Sequence, residues 1–479
     1  MDGRTEPRIE TVDGRTEPRI ETVDGRTEPR VETVDGRTEP RIETVDGRTE
    51  PRVETVDGRT EPRMETVDGR TEPRIETVDG RTEPRVETVD GRTEPRIETV
   101  DGRTEPRVET VDGRTEPRME TVDGKTEPRM ERVDGKTESR IETVDGRTEP
   151  RIETVGEEEV AQMISRGCKN FTNMVYAHPG RVLLLESYRK FAKEHHNFKF
   201  RTDDVVVMSF PKSGTTWLAE TVWVMTHMDE LHLLDQLGVY DRAHFIDKDI
   251  VLPADPEDQT SVAIRRYREL FPDNSVDDGV YLKLAASEES PRVLMTHIPL
   301  QLNNPDILET CKVIYVVRNP KDVSLSFYNF TTKVTRGETR DFVGEFAEFL
   351  DVLMSDQVLY SPYWEHIRQA WRMRHHPNLH FVFFENMKAD GLEEVRKLND
   401  FLKLDLTDDQ LRKTLEVTSF DKMKSRGDKL PVFKEIRGKF FVKGQTGSFK
   451  GVASPDLDAR MDAWIQENMK EMDIKFRYN

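Results

Sequence analysis

The segment Ser209–Trp217, which reads SFPKSGTTW, combines residue types that bind phosphate. It follows an apolar, β-branched run at Val205–Met208 and precedes a run that can continue as a helix. At such a helix start, backbone N–H groups point at an anion and the helix dipole favours its charge. Gly214 lets the backbone approach closely, and Lys212 adds a mobile positive charge. We therefore predict a phosphate cradle that also includes Ser213, Thr215 and Thr216.

The cradle differs from the Walker A loop. That motif requires G-x-x-x-x-G-K-[ST], whereas Lys212 precedes Gly214 here and the loop is too short to wrap a triphosphate. Trp217 follows directly and is placed to stack on a base. An ordinary capped helix with a core tryptophan is the alternative, but capping does not require Lys, Gly and two Thr together.

A second candidate segment, Lys312–Phe330, reads KVIYVVRNPKDVSLSFYNF. Arg318 stands at the end of a strand-like run, where ligands bind in open α/β sheets. Pro320 suits the first turn of a helix. Ser326 lies about two turns along that helix, on a face that can look back toward Arg318. Arg and Ser together suit a terminal phosphate, and the alternative is a surface Arg with an ordinary helix Ser.

A third segment, Pro291–Pro299, reads PRVLMTHIP and contains a candidate base. The run Val293–Met295 predicts a short strand with His297 at its C-terminal end. A lone histidine is usually structural. Between two phosphate-binding segments, however, His297 is a candidate general base.

With these three segments the chain resembles the cytosolic sulfotransferases, which move a sulfuryl group from PAPS (3′-phosphoadenosine 5′-phosphosulfate) to a hydroxyl or amine. The resemblance covers roughly Phe171 to the C terminus. Phe440–Phe449, reading FFVKGQTGSF, is similar to the family's RKGxxGDW loop. Phe383–Lys388 resembles its YEDMK stretch, and Thr418–Phe420 resembles its TSF segment.

The resemblance implies a role for each matching residue. His297 would take the acceptor proton, and Lys212 would neutralise the leaving oxygen. Thr215 and Thr216 would hold the 5′-phosphate, while Trp217 and Phe420 would sandwich the adenine. No metal is required. The full set of implied cofactor residues is Lys212, Ser213, Gly214, Thr215, Thr216, Trp217, Arg318, Ser326, Phe384, Thr418, Phe420, Val442, Lys443 and Gly444, with Arg318, Ser326, Lys443 and Gly444 on the 3′-phosphate.

An apolar acceptor pocket is the least defined part of the prediction. Phe210, Phe245 and Phe327 are its candidate lining, and each is equally compatible with ordinary core. Such a pocket suits a small-molecule acceptor: a phenol, another alcohol, a steroid or an amine.

The chain departs from the family pattern at several positions. Met295 stands where the family commonly has Lys, and Val442 replaces the Arg of the RKG loop. Phe384 replaces a Tyr and Phe449 replaces a Trp. The family's dimer motif KxxxTVxxxE is not preserved at 450–459, so dimerisation is in doubt. We expect weaker cofactor binding from these changes.

The first third of the chain is a separate region made of repeats. Residues 2–155 are fourteen copies of an eleven-residue unit, DGRTEPRIETV, with small variations. Each unit has two aliphatic residues, a Gly and usually a Pro, which makes a buried core or a coiled coil hard to form. Ile9 and Val12 are three apart and do not share a strand face. We predict an extended, largely disordered arm, with a β-solenoid as the alternative.

From residue 156 to 479 the composition becomes globular, and alternating strands and helices predict one α/β domain with a central parallel sheet. The chain has 479 residues and a net charge of −20, without a long single-sign run, so neither nucleic acid nor a membrane surface is an expected partner. Cys168 and Cys311 are too few for a disulfide framework. No signal peptide or long apolar span is evident, and we expect a cytoplasmic protein.

Two rival functions remain open. The first is another nucleotide-binding enzyme such as a small kinase, against which the residue order of the cradle argues. The second is a catalytically weak sulfotransferase-like domain that binds nucleotide and serves as a tether for the repeat arm. Met295 and Val442 favour the tether.

Overall fold

The computed structural model divides the chain into two units, Met1–Thr148 and Glu149–Asn479. It describes all residues except 1–3, 6, 13–14, 24–25, 35, 46, 57, 79, 90, 101–102, 105–106, 112–113, 116–117, 123–124, 127–128, 134–135, 138–139, 145–149, 170–172, 259–260, 334, 337–338, 430–443, 471 and 478–479. Val442 and Lys443, two of the predicted cofactor residues, lie outside the described residues.

The first unit is a β-solenoid in which two repeats make one coil. Five-residue strands begin with Arg8–Val12 and recur every eleven residues to Arg140–Val144, and two-residue strands run likewise from Arg4–Thr5 to Lys136–Thr137. Each strand pairs in parallel with the equivalent strand two repeats further on. Equivalent positions of the repeat therefore stack along the unit.

The prediction of a largely disordered arm is wrong for the described part of the array, because threonine fills the interior. Val31 and Thr33 share one strand face and are each 1% exposed, and Thr38 of the next short strand is 0% exposed. Thr33 Oγ1 donates to Thr38 Oγ1 at 2.7 Å, which satisfies the buried hydroxyls. The two aliphatic positions of a repeat do lie on opposite strand faces, since Val31 is buried and Val34 is 40% exposed, but threonine takes the place of a second aliphatic residue in the interior.

The second unit contains a sheet of three antiparallel strands, a central sheet and flanking helices. Its strands are β1 (Arg151–Thr154), β2 (Met174–His178), β3 (Val182–Leu185), β4 (Val205–Met208), β5 (Ala243–Phe245), β6 (Val293–Thr296), β7 (Lys312–Val317), β8 (Thr335–Arg336), β9 (Thr339–Arg340) and β10 (Leu379–Phe383). Residues 151–155 belong to the fourteenth repeat, yet β1 pairs with β2 inside this unit.

The helices of the second unit lie between its strands and after the last of them. They are α1 (Glu157–Ser165), α2 (Tyr188–His196), α3 (Thr215–Thr226), α4 (Val239–Arg242), α5 (Lys248–Val251), α6 (Val262–Leu270), α7 (Tyr281–Ser287), α8 (Ile307–Thr310), α9 (Pro320–Thr331), α10 (Phe346–Met354), α11 (Tyr363–Arg372), α12 (Phe384–Ala389), α13 (Gly391–Leu402), α14 (Asp408–Val417), α15 (Phe420–Lys429) and α16 (Pro455–Met469). Short 3₁₀ turns lie at Met228–Asp235, Val276–Asp278, Leu300–Leu302 and Ser448–Gly451.

The central sheet has the strand order β5-β6-β4-β7-β10, and every pair in it is parallel. This confirms the predicted parallel sheet flanked by helices. The chain leaves β4 toward β5 on one side and leaves β7 toward β10 on the other. The adjacent carboxyl ends of β4 and β7 therefore form a topological switch point, where ligands bind in such sheets.

The predicted strands coincide with observed ones, since Val205–Met208, Val293–Thr296 and Lys312–Val317 are β4, β6 and β7. All four residues of β4 are buried, which explains their unbroken apolar character. No helix in the described ranges combines the length and the apolar content that crossing a membrane would require.

Candidate functional site

The predicted cradle joins the end of β4 to the start of α3. Gly214 precedes the first residue of α3 and has a φ of +116°, a left-handed conformation that glycine adopts without strain. A Cβ at this position would lie 2.7 Å from Phe384 Cδ2. Ser209 and Thr215 hydroxyls are 2.5 Å apart and fasten the two ends of the turn. No side chain of the described residues caps α3, so its first-turn N–H groups are available to an anion.

Arg318 lies directly after β7 and is nearly buried. Its Nη1 donates to the Lys212 carbonyl oxygen at 3.1 Å, and its Nη2 donates to the Gln445 carbonyl oxygen at 3.0 Å. The guanidinium carbon is 4.3 Å from the centroid of the Phe384 ring. Burial lowers the pKa of Arg318, and the carboxylates of Asp322 and Glu385 oppose that shift.

Helix α9 carries Ser326 onto the same wall as Arg318. Pro320 occupies the first turn, and the Asn319 side chain caps the helix by accepting from Lys321 N at 2.9 Å. Asp322 is buried and accepts from Gly447 N at 2.7 Å and from Phe449 N at 3.2 Å. It thereby ties the segment after Gly444 to α9.

His297 follows β6, and the imidazole lines the same cavity as Lys212. Its Nδ1 is 2.7 Å from the carbonyl oxygen of Ser209. A carbonyl only accepts hydrogen bonds, so Nδ1 carries the proton and Nε2 carries the lone pair. Burial lowers the pKa of His297 to about 3, and the positive forms of His366 and Lys212 add to this shift. The ring is therefore neutral at physiological pH.

Lys212 is the cation of the cradle. It has a φ of +70°, and its Nζ lies 4.2 Å from the centroid of the Phe330 ring. Burial lowers the pKa of Lys212 to about 7, and the charges of Arg318 and Lys333 act in the same direction. A bound anion would restore its charge.

These groups surround a cavity of about 440 Å³. The structure brings most of the predicted residues to its wall: Lys212, Gly214, Thr215, Thr216, Trp217, Phe245, His297, Arg318, Ser326, Phe327, Phe384, Phe420 and Gly444. The ring centroids of Phe245 and Tyr360 lie 5.3 Å and 5.5 Å from that of His297, and the apolar side chains of Phe327 and Leu359 line the same cavity.

Three predicted residues lie behind the wall. Ser213 is 2% exposed within the turn. The Phe210 ring is 1% exposed and packs edge-on against Phe327 at 5.9 Å. Thr418 is fully buried and donates to the Thr414 carbonyl oxygen at 2.8 Å.

The prediction from sequence missed several wall residues, among them Tyr240, Asp322, Phe330, Tyr360 and Lys388. Asp322 lies four residues after Arg318, and Lys388 is the last residue of the FENMK stretch. Both belong to motifs that the sequence analysis used, so both could have been predicted as wall residues. Lys388 Nζ lies 5.3 Å from the Trp217 ring centroid. Tyr240 belongs to a stretch without clear periodicity and gave no such signal.

Comparison with known proteins points to one family. The sulfotransferase domain family matches residues 202–473. Sulfotransferase 1E1 of Bos taurus is 29% identical over 308 residues, covering 62% of this chain and 95% of that protein. Sulfotransferase 1A1 of Rattus norvegicus is 28% identical over 315 residues, covering 64% of this chain and 98% of that protein.

Solved structures agree in fold. Retinol dehydratase in complex with androsterone and the inactive cofactor PAP gives a TM-score of 0.58 at 24% identity, covering 69% of this chain and 98% of that chain. Its complex with retinol and PAP gives the same TM-score and identity, covering 69% and 99%.

Proposed function

The chain belongs to the sulfotransferase family, and we propose that it transfers the sulfuryl group of PAPS to a hydroxyl or amine of a small hydrophobic acceptor, with His297 as general base. The observation that carries the proposal is the 2.7 Å contact between His297 Nδ1 and the Ser209 carbonyl oxygen. It leaves Nε2 as the basic nitrogen of a histidine that lines the same cavity as Lys212. A base and a cation on one cavity wall suit proton removal beside a departing phosphate.

The residues at the switch point fit the nucleotide. PAPS, when bound, supplies the activated sulfuryl group. Trp217 Nε1 and Arg318 Nε are buried and lack a hydrogen-bond partner among the described residues. Buried polar groups are normally satisfied, so an anionic, heteroaromatic ligand at this place accounts for both. The positive φ values of Gly214 and Gly444 bring backbone close to the ligand.

Each residue then has one task. His297 Nε2 accepts the proton of the acceptor group. General-base catalysis of this kind contributes roughly 10²- to 10⁴-fold to the rate. The Lys212 ammonium group counters the charge that develops on the leaving oxygen. The first-turn N–H groups of Thr215 and Thr216 hold the 5′-phosphate, and Arg318 with Ser326 holds the 3′-phosphate.

The acceptor is proposed to be an uncharged, hydrophobic molecule with one reactive hydroxyl or amine. Phe245, Phe327 and Leu359 support this choice, because an apolar wall disfavours a second charge. The complexes of retinol dehydratase with androsterone and with retinol motivate the inclusion of steroid and polyene alcohols as probes. Cys168 and Cys311, both buried free thiols, support the proposed cytoplasmic location.

The test is transfer of labelled sulfate from PAPS to a panel of phenols, steroid and polyene alcohols, and amines. We expect transfer to hydrophobic alcohols or phenols and no ATP hydrolysis. ATP hydrolysis without sulfate transfer would favour the nucleotide enzyme of another class.

The tether remains the second candidate, because the Met295 side chain is 1% exposed and brings no charge to the site. Tight PAP binding without transfer to any acceptor would favour this second function and overturn the first.

A further inference from the structure

Asp247 is the N-cap residue of α5, yet its side chain does not cap that helix. An N-cap aspartate normally accepts hydrogen bonds from the first turn of its own helix. The Asp247 carboxylate instead reaches across to the end of β6. There it accepts from Thr296 Oγ1 at 2.6 Å, from the backbone N–H of His297 and from Ile298 N at 3.1 Å. The carboxylate therefore binds the backbone at the end of β6, where His297 lies.

Hydrogen bonds at three places fix His297: its peptide N–H, its carbonyl oxygen and its ring. The His297 carbonyl oxygen accepts from His366 Nε2 at 2.9 Å, and its Nδ1 donates to the Ser209 carbonyl oxygen at 2.7 Å. Tyr360 places its hydroxyl 3.4 Å from Asp247 Oδ2 and its ring 5.5 Å from the His297 ring. Asp247 holds the peptide N–H, His366 holds the C=O, and Ser209 holds the ring. The lone pair on Nε2 has a defined direction as a result.

We propose that Asp247 is a positioning residue for His297, fixing the peptide from which the imidazole projects into the cavity. This inference rests on the proposed role of His297 as base. Asp247 is fully buried and lies outside the cavity wall, so it acts through His297 and not on the acceptor. A displacement of a reacting group by about 1 Å can cost roughly 10²-fold in rate.

The chain offers a matched control two residues away. Asp249 is also a buried carboxylate with three backbone donors: Val280 N at 2.8 Å, Tyr281 N at 2.8 Å and Leu282 N at 3.1 Å. Burial raises the pKa of Asp249, and it raises the pKa of Asp247 to about 7. Asp249 serves the start of α7 instead of the end of β6. Asp247→Asn and Asp249→Asn therefore each replace a buried carboxylate that accepts at least three hydrogen bonds, and the two sites have different neighbours.

The experiment compares both variants in the full chain, with PAPS and the best acceptor from the panel. We expect both to lower Tm. Asp247→Asn should reduce kcat by roughly 10- to 100-fold while the Kd for PAP stays within about twofold, because only the base is displaced. Asp249→Asn should keep kcat within about twofold at a temperature where both variants are folded. Equal losses of kcat in the two variants, or wild-type kcat in Asp247→Asn, would overturn the proposal.

A double variant separates positioning from a general structural effect. In the His297→Ala background, Asp247→Asn should not reduce the residual rate further, because residues that act as one unit are not additive. A further tenfold loss would contradict a role through His297. If Asp247→Asn does not fold, Thr296→Val removes one donor to the carboxylate, and kcat should fall severalfold without a change in PAP affinity. An unchanged kcat in folded Thr296→Val would contradict the proposal.

Failure of this inference can be told from failure of the proposed function. A wild-type kcat in His297→Ala would contradict the assignment of His297 as the general base. An inactive His297→Ala together with a fully active Asp247→Asn would contradict only the positioning role of Asp247.

Discussion

Arg318 Nη1 donates a hydrogen bond of 3.1 Å to the carbonyl oxygen of Lys212. The two residues follow β7 and β4, neighbouring strands whose onward connections diverge. One guanidinium therefore shapes the cradle turn and also faces the cavity. The two predicted phosphate-binding segments, about a hundred residues apart in sequence, meet at the switch point.

Arg318→Ala should weaken PAP binding by tenfold or more. A charge-assisted hydrogen bond contributes about 1.5–3 kcal/mol, and this variant also releases the turn at Lys212. Calorimetric titration with PAP measures the effect. Arg396→Ala is the control, because Arg396 is 41% exposed and pairs with Asp408 away from the cavity wall. An unchanged Kd in Arg318→Ala would contradict the assignment.

The pH dependence of kcat/KM for PAPS should report the protonation state of Lys212. Burial lowers the pKa of Lys212 to about 7, so its ammonium charge is present below that pH and is lost as the pH rises through it. Since kcat/KM reports the free enzyme, kcat/KM for PAPS should fall above pH 7. Lys212→Arg should lose this limb, because a guanidinium stays charged. Identical alkaline limbs in wild type and Lys212→Arg would contradict the assignment.

His297 should contribute no acid limb between pH 5 and pH 8. Its pKa of about 3 keeps the imidazole neutral throughout that range.

Gly214→Ala should weaken PAP binding and also destabilise the fold. Alanine at a φ of +116° is strained, which costs more than about 1 kcal/mol, and the new Cβ would press on Phe384. Gly156→Ala is the matched control, because no atom of the described residues would lie within 4 Å of a Cβ at Gly156. Thermal melts and PAP titrations of both variants measure the effect. Equal behaviour of the two variants would contradict this description of the cradle.

The repeat array should be dispensable for catalysis, provided that β1 is kept. Arg151 pairs with His178 and Thr154 pairs with Val175, so β1 is part of the second unit's own sheet. A chain that begins at Glu149 should retain kcat within a few-fold. A chain that begins at Gly156 lacks β1 and should melt several degrees lower. A large loss of kcat in the longer chain, measured with PAPS, would show that the array takes part in catalysis.

The sequence predicted those parts of the fold in which local signals agree. β4, β6 and β7 are apolar runs that end at residues with distinctive chemistry, so their positions and the sites after them were readable. β5 has three residues, and nothing in the alternation of its sequence marks it. Asp247 therefore carried no signal, since its importance comes from a strand that is 50 residues away in sequence.

Two further differences have physical causes. The solenoid was only the alternative prediction for the array, because a count of aliphatic residues overlooks the buried hydrogen bond between the Thr33 and Thr38 hydroxyls. Phe210 was a candidate for the acceptor pocket, but its ring is buried behind the cavity wall, packed against Phe327 and Tyr363 at 5.9 Å and 4.9 Å. Neighbouring residues at a turn can face opposite sides, and only tertiary structure decides which.

The central claim is that His297 accepts the proton of the acceptor, and the variant His297→Ala tests it most directly. Initial rates with PAPS and the best acceptor are measured beside calorimetric binding of PAP. We predict that kcat falls by at least roughly 10²-fold, as removal of a general base requires, while the Kd for PAP stays within about twofold. A variant that retains its kcat, or that loses PAP affinity as strongly as Arg318→Ala, would contradict the claim.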